Sequence, residues 1–295
     1  MNASRLFSRH SLSFPLALLS LAALLPTAAH AHRTWLLPSA TVVSGKEPQV
    51  SVDAAVSEDL FEYDTNSLAL DGLSIVAPDG SKLSAENLGT TRRRSSFDVK
   101  LTQPGTYRIV NFSETAMASY KVGGESKRWR GSLDALAKDV PANAEELQVT
   151  RMQNRVETYV TNDNKADNKA DNKADAKADP KASKAFTPQG SGLELIPLTT
   201  PTDLSAGDNS SFRLLLDGKP AADLDVTILR GGNRYRYKMG EIALKTDAQG
   251  QFSVKWPEAG RYWIGASAGG RGPGGTAAQP ARRASLSATV EVLPQ

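Results

Sequence analysis

The chain has 295 residues, a formal net charge of +3 and no cysteine. Without cysteine there are no disulfides, so an exported chain must be held by its hydrophobic cores alone. The small charge argues against a nucleic-acid binder, and Arg92-Arg93-Arg94 and Arg128-Trp129-Arg130 read as solvated loop faces with no nucleic-acid motif beside them.

In chain order, Arg5 and Arg9 precede an apolar run from Phe14 to Leu25, and small residues follow as far as Ala31. This is the pattern of a signal peptide, too short and wrongly flanked for a membrane span. Ala29 and Ala31 occupy the two positions that signal peptidase reads, so cleavage is expected after Ala31, leaving His32 as the first mature residue. Loss of Arg5 and Arg9 brings the mature chain close to neutral. No lipobox cysteine and no second long apolar run is present, so the expectation is a periplasmic protein that does not span a membrane.

A terminal histidine offers an α-amine and an imidazole on one residue. The amine titrates at about 7.7–8.0, so a metal can displace its proton near neutral pH. Cleavage after Ala29 would instead begin the chain His30-Ala31-His32, whose amine, amides and third-position imidazole suit square-planar Cu²⁺ or Ni²⁺. The plain alternative is that these histidines only flank a cleavage site.

Strands are expected at Gln49–Ala55, Leu73–Ala77, Phe97–Leu101 and Thr106–Phe112, where residues alternate or run apolar between turn signals such as Pro78-Asp79-Gly80. Ser132 caps a short predicted helix over Leu133–Lys138, and Arg155–Val160 alternates like a strand rejoining a sheet. From Thr161 the composition changes. Lysines recur at 165, 169, 173, 177 and 181, and aspartates at 163, 167, 171, 175 and 179. Like charges at i and i+4 oppose a helix and nothing apolar can be buried, so a disordered polyampholyte linker is expected over 161–189. Further strands are expected at Ser211–Leu216, Asp225–Leu229, Gln251–Trp256, Arg261–Ala266 and Leu286–Leu293.

The two parts echo each other. Phe97-Asp-Val-Lys-Leu-Thr-Gln-Pro-Gly105-Thr-Tyr107 aligns without a gap on Phe252-Ser-Val-Lys-Trp-Pro-Glu-Ala-Gly260-Arg-Tyr262. The frame reads as a strand, a glycine turn and a return strand opened by an aromatic. The expected fold is all-β, with two immunoglobulin-like or transthyretin-like β-sandwich modules and a short helical segment. The first module covers 32–130, residues 131–160 complete it, and 190–295 form the second.

The run Ala31-His32-Arg33-Thr34-Trp35-Leu36-Leu37-Pro38 stands out, together with Asp53–Phe61, Gln103–Tyr107, Arg155–Thr161, Gly192–Pro197 and Leu216–Pro220. Together they resemble a domain-of-unknown-function family of periplasmic proteins described as NikM-like and associated with nickel uptake. The resemblance spans nearly all of the mature chain outside the linker. It implies an exported β-sandwich, a nickel or copper ion at the mature N-terminal histidine, His32, and a membrane metal-uptake component as partner. Thr65 and Thr200 stand where that family commonly carries histidine. The second module also resembles carboxypeptidase-regulatory-like and transthyretin-like sandwiches, through Gly218-Lys219-Pro220, Thr246–Gly250 and Gly260-Arg261-Tyr262.

With one mature histidine and no cysteine, nucleophilic triads and zinc hydrolase sites lack their parts, and the expectation is not an enzyme. Glu58–Asp64 holds four acids, so Asp59 and Asp64 are the candidate oxygen ligands beside His32, against the ordinary reading of an acidic loop. Trp35 is expected to plug the core and hold the terminus rigid. Tyr235 and Tyr237, alternating with Arg234 and Arg236, read as an exposed strand face or a sugar- or peptide-binding surface. The competing function is an envelope interaction module that binds a protein or glycan and no metal.

Overall fold

The computed structural model describes residues 32–164, 183–270 and 272–295. The leader with His30, and linker residues 165–182, lie outside the described residues. The strands of the first half are β1 (Arg33–Pro38), β2 (Val42–Val43), β3 (Gln49–Ser57), β4 (Asn66–Ser67), β5 (Leu73–Val76), β6 (Lys82–Leu83), β7 (Glu86–Thr90), β8 (Ser95–Lys100), β9 (Gly105–Val122) and β10 (Glu125–Gly131). Helix α1 (Leu133–Asp139) and β11 (Glu145–Asn162) complete it. The second half holds β12 (Leu193–Pro197), β13 (Asn209–Leu216), β14 (Lys219–Pro220), β15 (Asp225–Arg230), β16 (Ile242–Lys245), β17 (Gln251–Lys255), β18 (Gly260–Ala268) and β19 (Ala281–Val292). Ser132 caps α1 as expected, its side chain accepting the Ala135 N–H.

Among the described residues, three sheets build the fold. One is ordered β1-β3-β8-β7, one β12-β13-β14 with β17 on β13, and a ten-stranded sheet runs β16-β15-β18-β19-β11-β9-β5-β6. The large sheet reads the same from either end, because each half contributes equivalent strands in mirrored order. The small sheets keep one register: Pro38 lies opposite Val52 and Val52 opposite Phe97, as Pro197 lies opposite Phe212 and Phe212 opposite Phe252. This matched register supports duplication of one module. The halves meet where β11 and β19 pair in parallel, from Thr150 beside Ala281 to Thr158 beside Thr289.

Successive residues of a strand face opposite sides. On β11, Val156 and Val160 enter the first core with Leu36, Val52, Phe97 and Ile109, while Tyr159 enters the second with Phe212, Trp256, Tyr262 and Ile264. Each small sheet therefore covers a different face of the shared sheet, and each half is a two-layer β-sandwich. His32–Gln295 forms one compact unit.

The echoed segment is not a hairpin. Its strand (β8 or β17) lies in a small sheet and its return strand (β9 or β18) in the shared one, so the chain arches from layer to layer. The Tyr107 hydroxyl donates to the Gln103 carbonyl and the Tyr262 hydroxyl to the Glu258 carbonyl, each at 2.8 Å. Such a tyrosine corner pins the arch of a sandwich. Gly105 and Gly260 take φ of +117° and +147°, and a Cβ there would meet Pro78 or the Arg230 side chain.

The linker is ordered at both ends, contrary to the expected span of 161–189. Thr161 and Asn162 end β11, and Lys184–Phe186 forms a 3₁₀ turn whose Phe186 is buried in the second core. Asn162 lies opposite Gly105, and the Ser183 hydroxyl donates to the Thr106 carbonyl at 3.4 Å. The described residues thus leave and rejoin the fold at one point on β9. Apolar content explains the difference: Phe186 offers a large buried side chain that charge patterning did not weigh. Among the described residues, no helix is long and apolar enough to cross a membrane.

Candidate functional site

His32 stands at the head of β1, directly before the residue that pairs with β3. Arg33 lies opposite Ser57, so His32 falls beside Glu58, the first residue past β3. Its Nε2 is 3.4 Å from the Glu58 Oε1, and both side chains are more than half exposed. Behind it Trp35 is fully buried, its indole N–H donating to the Ser57 hydroxyl at 2.8 Å. The Trp35 ring meets Phe61 edge-on at 5.7 Å and Tyr63 at 5.6 Å, in a cluster with Leu60, Leu229 and Trp263. Trp35 thus anchors the terminus as expected, though against the second half as well as its own.

The acidic loop turns back on itself. Phe61 adopts φ +65°, and the Asp64 carboxylate accepts the N–H groups of Glu58 (3.1 Å) and Asp59 (2.9 Å) and the Thr65 hydroxyl (2.9 Å). Burial pushes the Asp64 carboxyl up, but these bonds from Asp59, Thr65 and Glu58 outweigh it and hold the group below the ordinary carboxylate range. Asp59 accepts from the Asn233 side chain at 3.2 Å, and Asn233 in turn accepts the Leu60 N–H at 3.1 Å. Asp64 and Asp59 are therefore engaged in holding the loop and are not gathered with His32. The acid brought to His32 is Glu58. The register of β1 on β3 selects it, a pairing that acid spacing alone does not encode.

The same loop abuts the β15–β16 connection. Tyr63 donates to Asp53 at 2.6 Å, and Arg94 pairs with Asp53 while its guanidinium lies 5.4 Å from the Tyr63 ring centre. Burial, reinforced by Asp53, pushes the Tyr63 phenol up to about 12. Arg33 donates to the Glu58 carbonyl and stacks on Trp263 at 5.9 Å. Tyr235 and Tyr237 do not lie on a strand, as alternation suggested. Asn233–Tyr235 is a 3₁₀ turn, entered through Gly232 at φ +73° and followed by Gly240 at +64°, and such glycines break an extended run.

A second group of titratable residues is sealed inside. Arg108, Glu157 and Glu194 are all fully buried, with Arg155 2 % exposed. Glu157 accepts from Arg108 Nε (2.9 Å) and Nη2 (2.7 Å) and from the Tyr159 hydroxyl (2.7 Å). Glu194, from β12, accepts the N–H groups of Gln189 (2.8 Å) and Gly190 (2.7 Å) and lies 4.0 Å from Arg108 Nη1. Burial alone would lower Arg108, but Glu157 overrides it, and burial beside Glu157 lifts Tyr159 well above its ordinary value. This cluster ties β12 to β9 and β11.

A metal needs more donors than the described side chains gather: among the described residues, no group of three or more His, Cys, Asp or Glu is placed to hold one. His32 and Glu58 supply one nitrogen and one carboxylate. Thr65 donates its hydroxyl to Asp64.

The sequence profile of the family described as "Domain of unknown function (DUF4198)" matches residues 29–270. The chain belongs to this family. The DUF4198 match begins just before His32, takes in the first half and runs through β18 of the second, ending before β19, and its description carries no activity. No curated protein matches the chain. Among solved structures, the D0-D1 domain of intimin is 11% identical, covering 88% of this chain and 97% of that one, at a TM-score of 0.21. An ICAM-5 D1-D4 ectodomain fragment is 12% identical over 89% of this chain and 51% of its own, at 0.20. Salmonella alpha-2-macroglobulin is 14% identical over 88% of this chain and 15% of its own, at 0.19. Scores this low lend no weight to any of the three, and the sandwich of this DUF4198 chain stands on its own strand pairing.

Proposed function

We propose that the chain is an exported periplasmic protein, not an enzyme, that binds a transition-metal ion of the nickel type at its mature N-terminus for a membrane metal-uptake component. The observation that carries this reading is the half-exposed His32 imidazole with its Nε2 3.4 Å from Glu58. With Glu58 facing Nε2, the other ring nitrogen, Nδ1, is the one on the side of the α-amine. Cleavage after Ala31 would free the α-amine of the same residue. Amine and Nδ1 then close a chelate ring, a nitrogen pair suited to Ni²⁺ or Cu²⁺. Trp35 and the β1–β3 pairing support it by fixing the residue behind the claw.

Calorimetry with NiCl₂ and CuSO₄ on protein beginning at His32 tests this. His32→Ala and a one-residue extension before His32 should each abolish tight binding, since one removes the imidazole and the other the amine. Glu58→Gln should weaken it about 10–100-fold. Equal affinity across the four proteins overturns the reading.

A further inference from the structure

The connection after β15 carries Asn233-Arg234-Tyr235-Arg236-Tyr237-Lys238, three cations and two tyrosines with no acid among them. Tyr235 is 79% exposed and Tyr237 110%. A residue as exposed as Tyr237 stands on a convex tip with no wall beside it. No ion pair of Arg234 or Lys238 with a carboxylate is found among the described residues, so both charges are available beside the two rings.

The base of the tip is held firmly. Asn233 bridges Asp59 and Leu60, and Arg236 Nη2 donates to the carbonyls of Arg230 (2.5 Å) and Gly231 (3.2 Å). Phe61 packs so closely on Gly231 that a Cβ there would lie 2.6 Å from the ring. The tyrosines are therefore presented on a fixed stem and left bare.

We propose that this tip docks the protein on an anionic membrane surface, with Tyr235 and Tyr237 seated among the lipid headgroups and Arg234 and Lys238 against their phosphates. A convex tip cannot enclose a small ligand, which needs a concave site. A bilayer interface yields around both rings and favours tyrosine there. Free cations supply the attraction to anionic lipid. The stem shares the Glu58–Asp64 loop with His32, so docking would turn the His32 end toward the membrane. The inference rests on the export half of the function proposed above and not on its metal half.

The test is co-sedimentation of metal-free protein beginning at His32 with phosphatidylglycerol–phosphatidylcholine vesicles, against phosphatidylcholine alone. Binding is expected only with phosphatidylglycerol, weakening as salt rises. Arg234→Gln and Lys238→Gln should each cost about fivefold in partition. Tyr235→Ser with Tyr237→Ser should reduce binding with both cations kept. An unchanged urea midpoint would show that these variants fold. His32→Ala should bind vesicles normally, so failure here and failure of metal binding are separable. No sedimentation with phosphatidylglycerol, indifference to the tyrosines, or binding to soluble anionic polysaccharide in place of vesicles overturns the inference.

Discussion

Replacing Glu157 with Leu should be among the most damaging single changes in this protein. The carboxylate accepts three hydrogen bonds in a site without water access. Without it, Arg108 keeps its charge, and its nearest acid is Glu194 at 4.0 Å. Two arginines, Arg108 and Arg155, would then face one buried carboxylate. Breaking a buried pair from one side costs about 3–5 kcal/mol, and orphaning the Tyr159 hydroxyl adds about 1–3 kcal/mol. Against a total stability of about 5–15 kcal/mol this is a large share. With a urea slope of about 3 kcal/mol/M, the midpoint should fall by at least about 1 M. The double variant Arg108→Met/Glu157→Leu restores neutrality, leaving Arg155 with Glu194, whose two backbone N–H partners are untouched. It should recover most of the loss, and adding Tyr159→Phe should recover more. Urea unfolding followed by tryptophan fluorescence measures all three. A single variant that unfolds like the wild type, or a double variant as weak as the single, refutes the reasoning that an unpaired buried charge sets the cost.

Two further outcomes follow from the geometry. The folded-state pKa of Asp64 lies below its unfolded value of 3.8, so its contribution to stability is present above that value and is lost as pH falls through the lower folded one. Asp64→Asn should therefore flatten the acid limb of the urea midpoint against pH, and an unaltered limb would remove Asp64 as the loop's tie. Shortening the segment 165–182 to a third of its length with Gly and Ser should preserve cooperative unfolding and gain about 1 kcal/mol from a smaller loop closure, because both described flanks attach at Gly105 and Thr106. A broadened or biphasic urea transition would contradict it.

Much of the fold was legible locally. Alternation located β3, β5, β8, β13, β15, β17 and β18 to within two residues at either end and the second half of β19, and Ser132 announced α1. The gapless Phe97–Tyr107 echo announced the duplication. Strand partners were less legible, since periodicity gives a strand's faces and not its neighbours. The parallel pairing of β11 with β19 has no turn to signal it. Strand β11 begins at Glu145, ten residues before the alternating Arg155–Val160 run, because the residues Glu145–Asn154 pack partly against α1 and partly on an open polar face. At the candidate site, His32 was readable from the leader, but Glu58 was not separable from Asp59 and Asp64 until the register placed Ser57 opposite Arg33. The tyrosine tip looked like a strand because its alternation is that of a strand, and Gly232 and Gly240 overrule it.

The duplication also explains why His32 is held as it is. Equivalent registers make Leu36 the counterpart of Leu195 and the tyrosine corners make Tyr107 the counterpart of Tyr262. Trp35 then corresponds to Glu194, and Trp263 to Arg108. Each half thus presses the outward residue of its first strand onto the shared sheet beneath the other half. One junction is apolar, Trp35 with Leu229 and Trp263, and the other is ionic, Glu194 with Arg108 and Glu157. Two copies of one contact have taken opposite chemistry. An ionic contact tolerates little displacement, because a buried charge needs its partner in place. An apolar contact accepts small shifts, because burial is non-directional. His32, Glu58 and the tyrosine tip all ride on the apolar junction. Swinging one half on the other would expose the tryptophans at one junction and strip charge partners at the other. The His32 end is therefore positioned by both halves at once.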